Sequence, residues 1–260
     1  MAVRRWPHSG PPPDPAELSS GPLLWLVPAP EAGAPLDVSV LDEGERARVA
    51  ALRRPAERAL YAAAHTAPRR LLGGCLGMAA AQVPLTRLAC SALPCPGCGG
   101  PHGRPAVAGP PGEELHFSLS HSGGPALLAF AARPVGVDIE RVPGGRDGPD
   151  AAASLHTLEQ AELAALPPVY RPAASARCWT RKEACLKATG AGISEASPRT
   201  LRPGTGPLPA RSLAWALMDL RSRRAMRRPA RCARRLRRGT AGPPGRRPVR
   251  CASTGSRGRR

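Results

Sequence analysis

Lysine is nearly missing from this chain. Of 38 basic residues only two are lysines, Lys182 and Lys187. Aromatic residues make up 3 % of the sequence, so local propensity is a poorer guide here than hydrophobic pattern. No apolar run approaches the roughly 18 residues of a membrane span. The N-terminal Met1-Ala-Val-Arg-Arg-Trp-Pro7 lacks the continuous apolar stretch of a secretory signal. These absences predict a cytoplasmic protein with no membrane contact. In that compartment the eight cysteines read as reduced thiols or metal ligands rather than disulfides. There is no Gly-x-Ser-x-Gly turn between a strand and a helix, which excludes a serine hydrolase of that design. Residues 221–260 contain no Asp or Glu and sixteen Arg. The formal charge of +19 is therefore mostly in that tail, and residues 1–220 carry only +3.

At 260 residues the chain has room for one large domain or two small lobes. Residues 1–20 are rich in Pro and Ser and are expected to be disordered. Residues 23–27, an apolar run between prolines, predict a first strand. Asp42 with Glu45 three residues on predicts a capped helix that ends near Arg53, because Pro55 follows. Pro55 opens a second helix over about 56–78. Pro68 inside it predicts a break or bend. Arg53, Arg54, Arg69 and Arg70 make this region basic and candidate for an anion site. Cys90, Cys95, Cys98 and His102 have spacings that allow a zinc ion or an ordinary metal-free turn.

Residues 115–122 alternate at period two, with Phe117, Leu119 and His121 on one face and Ser118, Ser120 and Ser122 on the other. Gly123 and Gly124 turn the chain, and 126–131 returns as an apolar strand, which makes a hairpin. His121 closes it and is a candidate ligand-binding residue. Residues 135–140, Val-Gly-Val-Asp-Ile-Glu, predict another strand. Val135, Val137 and Ile139 face a core, and Gly136, Asp138 and Glu140 face a cleft or solvent. Two carboxylates two residues apart on one face repel each other. A magnesium ion would remove that repulsion, since hard cations take carboxylate oxygens. Thr157-Leu-Glu-Gln160 resembles a capping box that opens a helix through Leu166. A further helix over about 176–189 carries both lysines and ends at Gly190. Glu183 and Lys187 share one of its faces, while Cys178, Cys185 and Leu186 face a core. Glu183 completes the expected metal set of Asp138, Glu140 and Glu183. Residues 212–220 predict a last strand.

Four motifs in this order, His102-Gly-Arg-Pro105, Phe117-Ser-Leu-Ser-His-Ser122, Gly136-Val-Asp-Ile-Glu140 and Trp179-Thr-Arg-Lys-Glu-Ala-Cys-Leu-Lys187, resemble those of the 4′-phosphopantetheinyl transferases. The likeness is to the larger, surfactin-synthetase-type class and spans about residues 20–220. It implies an α+β fold of two similar lobes in one chain, a pseudo-dimer. Residues 21–133 would form the first lobe and residues 134–220 the second, with the metal site, while residues 221–260 follow as a disordered Arg-rich tail. Coenzyme A, the co-substrate, would bind between the lobes of a monomer. Its phosphopantetheine arm would pass to a serine of an acyl or peptidyl carrier protein, releasing adenosine 3′,5′-bisphosphate. Glu183 would be the general base, directly or through a metal-bound water, and Lys187 would stabilise the leaving phosphate. Arg104 and His121 would contact the 3′-phosphate and its neighbours, with Arg53 and Arg54 weaker candidates for that task.

Two features depart from the family pattern. Pro68 interrupts a helix that is usually continuous, and an Arg-rich tail replaces a final aliphatic strand. A shift of reading frame near codon 220 accounts for the second. A protein that binds nucleic acid through the tail, non-specifically because the tail has no aromatic residue for base stacking, is the competing function. A truncated, inactive relative of the transferase is another. The nucleotide sequence past codon 220 checks the frame: if neither other frame encodes an aliphatic strand, the tail is native.

Overall fold

A computed structural model describes residues 2–7, 13–31, 33–88, 103–122, 124–142, 153–190, 197–210 and 215–220. Its centre is a four-stranded sheet in the order β1, β2, β6, β5. The strands are β1 (Val3–Arg5), β2 (Leu23–Val27), β5 (His116–His121) and β6 (Ala126–Ala131). β1 runs parallel to β2, and the other pairings are antiparallel. A short separate ladder joins β3 (Leu85–Arg87) to β4 (Pro105–Val107).

Both faces of β6 are buried, because every one of its six residues is apolar and each face has a cover. On one side Trp25, Val27, Phe117, Leu128 and Phe130 pack with Ala64, Leu71 and Leu72. The last three belong to α3 (Pro55–Leu76). On the other side Leu24, Leu127 and Ala129 pack with Val137, and Val135 and Ile139 flank it. The 135–140 segment therefore covers the second face of the sheet.

Residues 2–7 and 13–20 are more ordered than the composition of this segment predicts. β1 pairs with β2, and α1 (Pro15–Ser19) starts at Asp14, whose side chain accepts from the Ala16 amide. Leu18 is buried in the main core. That burial, with strand pairing at an otherwise open sheet edge, outweighs the Pro-rich sequence. α2 (Glu43–Ala51) has the expected capping box between Asp42 and Glu45. α3 runs through Pro68 without interruption, and Pro68 is itself buried. The expected break does not occur, since the packing of this helix on the sheet compensates for one missing backbone donor.

α4 (Pro111–Glu114) precedes β5, and α5 (Thr157–Ala165) follows the acidic segment. The cap of α5 is one residue earlier than expected. His156 accepts from the Leu158 amide, and Glu159 returns to the His156 amide. α6 (Arg171–Thr189) starts five residues before its predicted beginning, with Pro172 in its first turn. α7 is Ser197–Thr200. Residues 215–220 contain no strand, so the predicted strand over 212–220 is not seen there, and residues 211–214 lie outside the described set. The described residues up to Asp219 form one compact unit. No strand follows β6 among the described residues, so the expected second sheet of a similar lobe is not seen there. Cys90, Cys95, Cys98, His102 and residues 221–260 lie outside the described residues.

α2 is tied to α3 by Arg69, whose side chain is 3 % exposed. It donates to Asp42 at 2.6 Å and to Glu45 at 2.7 Å. Burial raises the Glu45 carboxyl most, yet bonds from His65 and the Asp42 amide, with the charge of Arg69, hold it below the usual range. A lowered folded-state pKa stabilises the fold above the unfolded value and is lost as pH falls through the folded one. The melting temperature should therefore drop as pH falls below roughly 4.3, and Glu45→Gln should flatten that acid limb. An unchanged acid limb in the variant would refute this role.

Candidate active site

The 135–140 segment is extended but not a ladder strand. Its side chains alternate as expected, with Val137 buried under the sheet and Asp138 turned the other way. Its backbone bonds differ from the expectation. The amides of Val137 and Ile139 donate to the hydroxyls of Ser118 (3.1 Å) and Ser120 (3.4 Å). Serine side chains of β5 thus replace the carbonyls of a neighbouring strand. Ser120 also holds an acid, donating to Asp138 at 2.6 Å, and Ser122 donates to Glu140 at 2.8 Å.

Gly136 sets the distance to α6. A Cβ built there would lie 1.9 Å from the Ala184 carbonyl oxygen and 2.5 Å from the Ala188 amide nitrogen. Only a residue without a side chain lets the two backbones meet this closely. The contact brings Asp138 to Lys187, whose ammonium lies 2.6 Å from one Asp138 oxygen and 3.9 Å from Glu183. The Asp138 side chain is 2 % exposed, and its other oxygen is buried with no hydrogen-bond partner. Burial pushes the Glu183 carboxyl above its usual range. Lys187 pulls it down, and the charges of Asp138 and Glu140 push it further up. Glu183 therefore feels both other acids, and Lys187 offsets part of that repulsion.

The residues suit a hard dication in donor type. Three carboxylates offer oxygens, and the unpartnered Asp138 oxygen is free to accept a cation. Among the described residues no three His, Cys, Asp or Glu side chains are already gathered as a coordination shell. The Lys187 ammonium takes up Asp138's other oxygen.

The remaining predicted residues divide. Arg104 reaches the end of α6, donating to the Ala188 carbonyl at 2.8 Å, and its side chain packs beside Gly190. His121 keeps an exposed edge. Partial burial lowers its pKa, followed by the positive charges of His65 and Lys187. Arg104 thus meets α6 one residue past Lys187, and His121 feels the charge of Lys187. Arg53 and Arg54 do not join them. Both are exposed, and Arg54 turns to Glu57 at 3.0 Å. Arg69 and Arg70 are occupied by acids of their own, Asp42 and Glu45 for the first and Asp37 for the second. A cavity of about 550 Å³ behind Gly136 and another of about 350 Å³ beside Trp6 are not lined by Asp138, Glu140 or Glu183. Serine roles were missed from sequence. The signal was present: Ser118, Ser120 and Ser122 repeat at the same period as Gly136, Asp138 and Glu140.

Gly136→Ala should lower stability by about 1–3 kcal/mol, as overpacking does, measured by chemical denaturation. A variant as stable as the parent would show that the contact is looser than described.

Residues 134–204 match the sequence pattern of the 4′-phosphopantetheinyl transferase superfamily. The chain is 30 % identical over 216 residues to the 4′-phosphopantetheinyl transferase HetI of Nostoc, covering 80 % of this chain and 86 % of that protein. It is 32 % identical over 94 residues to a 4′-phosphopantetheinyl transferase of Bacillus subtilis, covering 36 % of this chain and 40 % of the relative. Identity to the 4′-phosphopantetheinyl transferase AcpT of Salmonella typhimurium is 41 % over 93 residues, 35 % of this chain and 47 % of that one.

Proposed function

Because the chain belongs to the 4′-phosphopantetheinyl transferase superfamily, we propose that Glu183, Lys187, Asp138 and Glu140 carry its reaction. The enzyme transfers phosphopantetheine, and in our reading the donor is coenzyme A and the acceptor a serine of an acyl or peptidyl carrier protein. We place it in the larger, surfactin-synthetase-type class, acting as a cytoplasmic monomer built from two related lobes, with residues 221–260 as a tail outside the catalytic unit.

Glu183 takes the proton of the acceptor serine. Its burial supports that role, because a carboxyl held above the usual range is the better proton acceptor. The serine oxygen then forms a bond to the phosphorus that bears the pantetheine arm. The phosphoanhydride bond breaks, and its electron pair leaves on adenosine 3′,5′-bisphosphate. Lys187, already held by Asp138, turns its positive charge to the leaving phosphate. Asp138, Glu140 and Glu183 would hold a magnesium ion, which when bound neutralises negative charge on the coenzyme pyrophosphate. Ser120 and Ser122 hold Asp138 and Glu140 for that purpose. Arg104 and His121 meet the coenzyme's 3′-phosphate and neighbouring groups, with Arg53 and Arg54 as outlying positive charge.

The observation that carries this reading is the meeting of the 135–140 segment with α6 at Gly136, since it joins the two matching motifs into one acidic site. The test is magnesium-dependent labelling of a carrier protein from coenzyme A. The expected result is labelling by the parent chain and none by Asp138→Ala or Glu183→Ala. Full labelling by both variants would overturn the site assignment, and no labelling by the parent would overturn the function.

A further inference from the structure

α6 carries both lysines of the chain, and only Lys187 meets Asp138. Lys182 is fully buried and lies 2.6 Å from Glu159, which is also fully buried. Its ammonium donates to the carbonyls of Pro198, at 2.7 Å, and Leu201. Three donors thus meet three acceptors. The Glu159 oxygen that takes Lys182 also accepts from the His156 amide at 3.3 Å, and its other oxygen accepts from the Gly204 amide at 3.1 Å.

Such a pair is costly to bury, and apolar residues of similar volume often give equal or greater stability. Stability alone therefore does not account for it. What the pair does supply is an angle. Gly136 touches backbone atoms of α6, Ala184 O and Ala188 N. That contact limits how near the helix lies to the acidic segment but leaves its rotation free. Lys182 is next to Glu183, about 100° around the helix, so its anchoring sets the direction in which Glu183 and Lys187 point. Arg181 reinforces the same side, donating to the carbonyls of Gly204 at 2.7 Å and Gly206 at 3.0 Å.

We propose that the Glu159–Lys182 pair is a positioning device that fixes the rotation of α6 and so aims Glu183 and Lys187 at Asp138. This rests on the transferase reading of those two residues. The test is the double variant Glu159→Gln/Lys182→Met of the full chain, which leaves no buried charge unpaired. It should melt cooperatively near the parent temperature. Its kcat for carrier labelling should fall about 100-fold, the scale of a small misplacement of a catalytic group, with the KM for coenzyme A within about twofold. In a Lys187→Ala background the same double change should cost clearly less than it does in the parent, because the part of its effect that acts through Lys187 is already lost.

A kcat equal to the parent's, or a loss that multiplies fully with that of Lys187→Ala, overturns the proposal. If the double variant does not melt cooperatively, Glu159→Leu/Lys182→Met, which also removes both charges, is read by the same criteria. Failure of both to fold makes the pair a folding requirement and also overturns it. A parent chain that labels no carrier defeats the transferase reading itself, a result distinct from normal labelling by the variants.

Discussion

The backbone of Gly136 rests directly on the backbone of α6, and the chemistry depends on that closeness. A methyl group in its place would occupy the space of the Ala184 carbonyl oxygen. With the glycine present, Asp138 reaches Lys187 across two elements separated by 49 positions in sequence. The sheet contributes by holding the other side of the same segment. Val137 lies on Leu24, Leu127 and Ala129, so the segment is trapped between an apolar surface and a helix.

Collecting acids in such a place has an electrostatic cost, and the surroundings offset it in graded ways. Asp138 receives a hydroxyl and an ammonium. Glu140, exposed at the end of the segment, receives a hydroxyl. Among the described residues Glu183 has the distant Lys187 as its one ion-pair partner, and burial followed by the charges of Asp138 and Glu140 raises its pKa. In the proposed reaction Asp138 and Glu140 would serve the cation alone, and Glu183 would serve both the cation and the proton transfer.

Much of this was legible because periodicity is a local property. The period-two pattern of 135–140 told which side chains faced the core, and the spacing of Glu183 and Lys187 told that they share a helix face. The strand expected over 135–140 was wrong in one respect, because hydrogen-bond partners are not local: two serines on another strand, Ser118 and Ser120, took the role of a ladder. Residues 1–20 and Pro68 misled for a related reason. Composition and propensity spoke for disorder and a break, but strand pairing at β1 and the buried face of α3 decided otherwise. The separation of the two lysines into an aiming anchor and a site residue was also invisible, since Glu159 lies 23 positions from Lys182 in sequence, on another helix. Arg53 and Arg54 are exposed, and Arg54 turns to Glu57, a local pairing that a count of charges does not reveal.

The most direct test of the central claim, that the carboxylates of Asp138, Glu140 and Glu183 serve one dication beside the coenzyme pyrophosphate, is a manganese titration followed by electron paramagnetic resonance with coenzyme A present. The account predicts a single tight manganese ion per chain in the parent protein and loss of that ion in Asp138→Asn and in Glu183→Gln. Equal binding by parent and variants, or no binding by the folded parent, would contradict it.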